Sequence, residues 1–139
     1  MNSEIESIEQ LIPHRAPFIM VDKVISFTHE KSTTSFFIEE DNVLCENNSF
    51  RETGLIENIA QSVAASRGYE GRKNNTSPKI GYIGSIKSFK VNFFPSVNSE
   101  ITTEITLLNQ VLNFTSIEGK VFQNGQLVAE AELVIAIQS

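Results

Sequence analysis

Glu57 and Gln61 stand four residues apart in the stretch Leu55–Tyr69, which is otherwise almost entirely apolar or small. Read as a helix, that spacing sets a carboxylate and an amide on one face, one turn apart. The abundance of Ala and Ser suits close packing against a sheet. A carboxylate on such a helix is costly to bury unless it is paired or neutral, and costly polar groups in clefts are candidates for proton-transfer chemistry. A structural ion pair, or a carboxylate tied to a backbone N–H as a cap, would leave the same pattern.

Few other side chains could join such chemistry. The chain has two histidines, His14 and His29, and one cysteine, Cys45. Scattered as they are, they form no metal site and no disulfide framework. There is no Gly-rich phosphate loop and no Ser-His-Asp arrangement.

The elements that must position these groups are legible from patterning. A short amphipathic helix is expected over roughly residues 3–11, with Ile5, Ile8, Leu11 and Ile12 on one side, followed by an extended passage at Pro13 and Pro17. Strands are expected at Phe18–Phe27 and Lys31–Glu40, with His29-Glu30 between them. Asp41–Thr53 is polar and irregular. The helix follows and is expected to stop near Gly68, before a polar loop over 71–78. Four strands close the chain, at about 80–94, 100–110, 113–123 and 126–137, and Asn124-Gly125 signals a type I′ hairpin. The order predicts an α+β fold, one long helix against an antiparallel sheet.

With 139 residues the chain is expected to be one domain, residues 1–139. No apolar run reaches the roughly 18 residues of a membrane span. Met1–Glu9 is acidic where a secretory signal would be basic and then apolar, so a cytoplasmic location is expected. The net charge of −6 hides a division. Residues 61–99 hold Arg67, Arg72, Lys73, Lys79, Lys87 and Lys90 against Glu70 alone, a balance of +5 that leaves −11 for the rest. Such a basic segment suggests a docking surface for an anionic partner; an uneven solvated surface is the plain alternative. Aromatic residues are not interleaved with these cations as in single-strand nucleic-acid binders, so no nucleic acid is expected.

Three blocks carry a family resemblance. Leu11-Ile12-Pro13-His14-Arg15-Ala16-Pro17-Phe18 followed by Val21-Asp22-Lys23-Val24, the helix block Glu57-Asn58-Ile59-Ala60-Gln61, and Phe94-Pro95-Ser96-Val97 resemble, in order, blocks of the FabZ-like 3-hydroxyacyl-acyl-carrier-protein dehydratases. The resemblance implies a hotdog fold, an antiparallel sheet wrapped around a central helix and paired into dimers through sheet edges. It also implies that Glu57 is catalytic. One departure stands out. The family carries a second catalytic residue, a histidine, before the helix, whereas residues 42–54 contain none. Pro13-His14-Arg15-Ala16-Pro17 and Gly54-Leu55-Ile56-Glu57 look closer to the divergent ApeP-like dehydratases of aryl polyene and flexirubin pigments.

The implied reaction is reversible dehydration of a 3-hydroxyacyl thioester to a trans-2-enoyl thioester. It needs a base for the α-proton, an acid for the departing hydroxyl and a partner for the enolate oxygen. Glu57 is read as protonating or orienting the hydroxyl. Gly54 and Leu55 are read as supplying helix-start amides to the oxygen. An imidazole, with an ordinary pKa of about 6.5, suits proton abstraction near neutrality, which makes His14 the candidate base; a structural imidazole is the alternative. Gln61 holds either Glu57 or the substrate arm, or makes a plain packing hydrogen bond. Cys45 lies where the family's histidine is expected: it is a substrate contact, a thiolate base if positive neighbours lower its pKa, or a small buried hydrophobe.

No cofactor is expected, because the phosphopantetheine arm arrives on acyl carrier protein. That acidic partner would meet Arg67, Arg72, Lys73, Lys87 and Lys90. The expected assembly is a homodimer or higher homo-oligomer, or a heterodimer with another hotdog subunit. A thioesterase on the same fold and a non-catalytic subunit of a heteromeric dehydratase are the rival functions.

Overall fold

A single long helix, α2 (Glu52–Lys73), is the member against which every other element is placed in the computed structural model, which describes residues 7–75 and 81–137. It is preceded by α1 (Ile8–Leu11), β1 (Lys23–Phe27), β2 (Lys31–Ile38), β3 (Cys45–Glu46) and β4 (Ser49–Phe50). It is followed by β5 (Gly81–Val91), β6 (Ser99–Val111), β7 (Phe114–Gln123) and β8 (Gln126–Ile137). Six strands form one sheet in the order β1-β2-β6-β7-β8-β5, each pair antiparallel. This is the hotdog arrangement. Among the described residues, no helix is long and apolar enough to cross a membrane.

β6, β7 and β8 alternate buried with wetter positions, so one face packs on the helix. At the β7–β8 turn Asn124 and Gly125 both take positive φ, 51° and 79°, as a type I′ turn requires. The main core gathers Phe36, Phe50, Leu55, Ile59 and Val63 with inward residues of β6 to β8. A second, smaller core gathers Leu11, Ile12, Val21, Val24, Ala65 and Tyr69 under the N-terminal segment.

The helix is pinned to the sheet by hydroxyls as well as by apolar contacts. Ser62 Oγ donates to Asn58 C=O at 2.6 Å and lies 2.7 Å from Thr34 Oγ1. Ser66 Oγ donates to Ser62 C=O at 2.8 Å and lies 2.6 Å from Ser32 Oγ. Each serine has one proton, so Thr34 and Ser32 must be the donors across the interface. All four hydroxyl residues are buried, and each hydroxyl has a partner.

Several boundaries differ from expectation. The helix begins at Glu52 rather than Leu55, with Leu55 N–H donating to Arg51 C=O at 3.0 Å. It also runs through Gly68 to Lys73, taking residues 71–73 out of the expected loop; residues 76–80, including Lys79, lie outside the described residues. Gly68 is therefore no stop. Its bare Cα admits the backbone carbonyl of Leu11, with which a Cβ would collide. The first helix is a single turn, with Ser7 N–H donating to Gln10 Oε1 at 3.2 Å, and Ile5 lies outside the described residues. The first strand starts at Lys23, not Phe18. Residues 41–53 hold the small β3–β4 hairpin, turned through Asn47 and Asn48 at positive φ of 54° and 63°.

Gly68→Ala is expected to destabilise the fold by about 1–3 kcal/mol, since an added methyl must push a backbone carbonyl aside. Alanine's helix propensity gains only roughly 1 kcal/mol in return. A lowered urea midpoint with an unchanged slope would show this; an unchanged or raised midpoint would mean that Leu11 does not pack on the helix.

Candidate active site

Asn58 and Gln61, both buried on α2, reach the passage that enters β1. Asn58 Nδ2 donates to Met20 C=O at 2.8 Å, and Gln61 Oε1 accepts Met20 N–H at 2.6 Å. Both peptide groups of Met20 are thus satisfied by helix side chains, which is why residues 18–22 do not begin the strand. Thr103 Oγ1 on β6 donates to Asn58 Oδ1 at 2.5 Å, and Gln61 Nε2 donates to Phe18 C=O at 3.0 Å.

The remaining Gln61 N–H donates to Glu57 Oε2 at 2.9 Å. All three hydrogen-bonding directions used by this amide are therefore fixed by the protein. Glu57 Oε2 is held, while its Oε1 has no hydrogen-bond partner among the described residues. Glu57 is half-buried and lines a cleft of about 360 Å³, within the range of ligand pockets. Ala60, Val63, Ala64 and Arg67 continue the same wall along α2. The facing wall is Gly81, Tyr82 and Ile83 of β5 with Ile135 and Ile137 of β8.

His14 lines this cleft too. Its Nδ1 is buried and has no hydrogen-bond partner, an uncommon condition for a buried polar atom. Arg15 fixes the local backbone, its guanidinium donating to the carbonyls of Ile12 and His14 at 3.0 and 2.7 Å. The structure thus brings together Glu57, Gln61 and His14, three residues singled out from the sequence.

The other candidates lie elsewhere. Gly54 is buried against the ring of Phe50, where a Cβ would collide, and Leu55 is wholly buried in the main core. Because the helix starts at Glu52, Leu55's amide is already engaged by Arg51 C=O. Gly54 is the last residue before it without an intrahelical acceptor. Glu57 consequently sits in the second turn rather than the first. Cys45 is half-buried in β3 and packs on the main core; burial pushes its thiol up, away from the thiolate. Among the described residues no group of three His, Cys, Asp or Glu side chains could hold a metal ion.

Arg67 turns toward its own helix and the β1–β2 turn. NH1 donates to Glu70 Oε1 at 3.0 Å, and NH2 donates to His29 C=O at 3.1 Å. His29 is tied in as well, its Nδ1 lying 2.7 Å from Glu70 Oε2. Arg72 and Lys73 are exposed in the last turn of α2, and Lys87 and Lys90 are exposed on β5. Asn58, part of the quoted helix block, was not singled out from the sequence. A buried Asn inside a helix is a poor helix former, and that was the available signal.

Known proteins resemble this chain in sequence and in fold. FabZ 3-hydroxyacyl-acyl-carrier-protein dehydratases of Actinobacillus pleuropneumoniae and Listeria monocytogenes are 26% and 28% identical, each over 96% of this chain and 90% and 95% of their own length. Among solved structures, the dehydratase heterocomplex ApeI:P from Xenorhabdus doucetiae has a TM-score of 0.81 at 18% identity, covering 96% of this chain and 91% of that one. A hypothetical thioesterase protein of Streptococcus pneumoniae TIGR4 with coenzyme A has a TM-score of 0.67 at 9% identity, covering 84% of this chain and 87% of that one. At such identities the likeness is one of fold, and a fold alone does not select a reaction. The family pattern described as ApeP dehydratase matches residues 6–138, so the chain belongs to the ApeP-like dehydratase family.

Proposed function

We propose that this protein dehydrates 3-hydroxyacyl chains carried on acyl carrier protein, giving the trans-2-enoyl thioester, with Glu57 and His14 as its acid–base pair. The observation that carries the reading is the pairing, in one cleft, of a half-buried carboxylate with a fixed Oε2 and an imidazole with an unpartnered buried nitrogen. His14, in the wall of the cleft, takes the α-proton. Glu57, oriented through Oε2 by Gln61, gives its proton through Oε1 to the departing hydroxyl, which leaves as water. The family membership and the FabZ relatives support this reaction over thioester hydrolysis.

A second hotdog subunit pairs along β5 in this reading. β5 is bonded to β8 on one side only among the described residues, and it carries Tyr82 and Ile86 at 58% and 49% exposure on that open edge strand. Three of its residues line the cleft, so a subunit seated there would help to close the site. The heteromeric ApeI:P neighbour favours an unlike partner as an alternative to a second copy. Carrier protein docks on the exposed cations Arg72, Lys73, Lys87 and Lys90; Arg67, engaged by Glu70 and His29, is not among them.

Glu57→Gln keeps the size of the side chain and the acceptor for Gln61. It is expected to lower kcat for a 3-hydroxyacyl thioester by about 10²–10⁴-fold without loss of stability, and His14→Gln to act similarly. Full turnover in Glu57→Gln, or release of free thiol from a saturated acyl thioester, would overturn the assignment. Lys87→Glu with Lys90→Glu is expected to weaken carrier-protein binding strongly at low salt and little at high salt. Unchanged affinity at low ionic strength would remove those lysines from the docking face.

A further inference from the structure

A run of hydrogen bonds leads from the sheet to the carboxylate of Glu57, and each member donates to the next. Thr103 Oγ1 on β6 donates to Asn58 Oδ1 at 2.5 Å, and Asn58 Nδ2 donates to Met20 C=O at 2.8 Å. Met20 N–H donates to Gln61 Oε1 at 2.6 Å, and Gln61 Nε2 donates to Glu57 Oε2 at 2.9 Å. Thr103 and Asn58 are 1% and 0% exposed, and neither lines the cleft. The carboxamide of Asn58 takes only this orientation, since turning it over would set Oδ1 against the Met20 carbonyl. An asparagine is costly here, being a poor helix former with polar groups to satisfy inside the core.

The same bonds bear on the imidazole. His14 lies six residues before Met20, and Gln61 Nε2 also holds Phe18 C=O at 3.0 Å. Release of Met20 C=O therefore loosens the passage that carries His14 and disturbs the amide that orients Glu57. Moving reacting groups apart by about 1 Å can cost about 10²-fold in rate. Resting on the assignment of the reaction to Glu57 and His14, we propose that Asn58, held by Thr103, is a positioning residue for it. Asn58 touches no reacting atom; through Met20 it fixes the register of His14 against Glu57.

Asn58→Asp is the sharpest test. The introduced carboxyl can replace the amide only when protonated, one oxygen accepting from Thr103 and the O–H donating to Met20 C=O. Ionised, it sets a charge against that carbonyl. For a 3-hydroxyacyl N-acetylcysteamine thioester, the ratio of its kcat to that of the wild type is expected to fall as pH rises over about pH 5–9, with KM little changed. Asn58→Leu should lose about 10–10²-fold in kcat across that range. Thr103→Val should lose part of this and Thr103→Ser should restore it; this pair decides if the Asn58 variants do not fold. Ser66→Ala removes another buried hydroxyl of α2, one that bonds Ser62 and Ser32 instead, so it should lower the urea midpoint and leave kcat unchanged. A pH-independent ratio in Asn58→Asp, wild-type kcat in Asn58→Leu, or an equal loss in Ser66→Ala would overturn the inference. Hydrogen exchange at the Met20 amide and the carboxyl carbon NMR signal of Glu57 report the same coupling if turnover needs a partner subunit; relative to the wild type, both should change with pH in Asn58→Asp. If they do and Glu57→Gln still turns over fully, the reading of Glu57 fails. If Glu57→Gln is inactive and neither signal responds, only the role of Asn58 fails.

Discussion

Two carboxamides on one helix, gripping both peptide groups of one residue, hold the site together. Asn58 and Gln61 take the C=O and N–H of Met20 and so join the N-terminal passage to α2 by buried bonds. Each bond lies inside the protein, where an unmet partner would cost about 1–3 kcal/mol. The same Gln61 amide then sets the carboxylate of Glu57. Chain entry into the sheet and orientation of the acid thus share a side chain, so neither can shift without the other.

That arrangement explains why the helix is chemically mixed rather than a simple apolar stripe. One face carries Leu55, Ile59 and Val63 into the core; another carries Asn58, Ser62 and Ser66 to the hydroxyls and backbone of the neighbouring elements. A third carries Glu57, Ala60, Ala64 and Arg67 to the cleft. Serine and asparagine weaken an isolated helix, and here their side chains are satisfied by defined partners that fix its rotation against the sheet.

Much of this was legible in the chain itself. The spacing of Glu57 and Gln61 placed the two on one face, and alternation with Asn124-Gly125 placed the closing strands and their hairpin. What could not be read depends on distant partners. Gly68 looks like a helix end until Leu11 is seen to pass over it. Phe18–Asp22 reads as strand, because local pattern cannot reveal that Met20 is bonded to residues some forty positions away. The cleft was invisible because its far wall comes from Ile135 and Ile137. The resemblance supplied Glu57 as an acid; only the fold put His14 beside the same hollow.

The two apolar cores have a mechanical consequence. Glu57 rides on the helix of the larger one, while His14 follows directly on Leu11 and Ile12, anchors of the smaller. The imidazole and the carboxylate are therefore held by two cores that meet along α2, which gives Ala65 and Tyr69 to the smaller one. Slippage of the lesser block would carry the nitrogen away from the hollow while the six-stranded sheet stayed whole. Alignment for reaction thus leans on the smaller core more heavily than the sheet does.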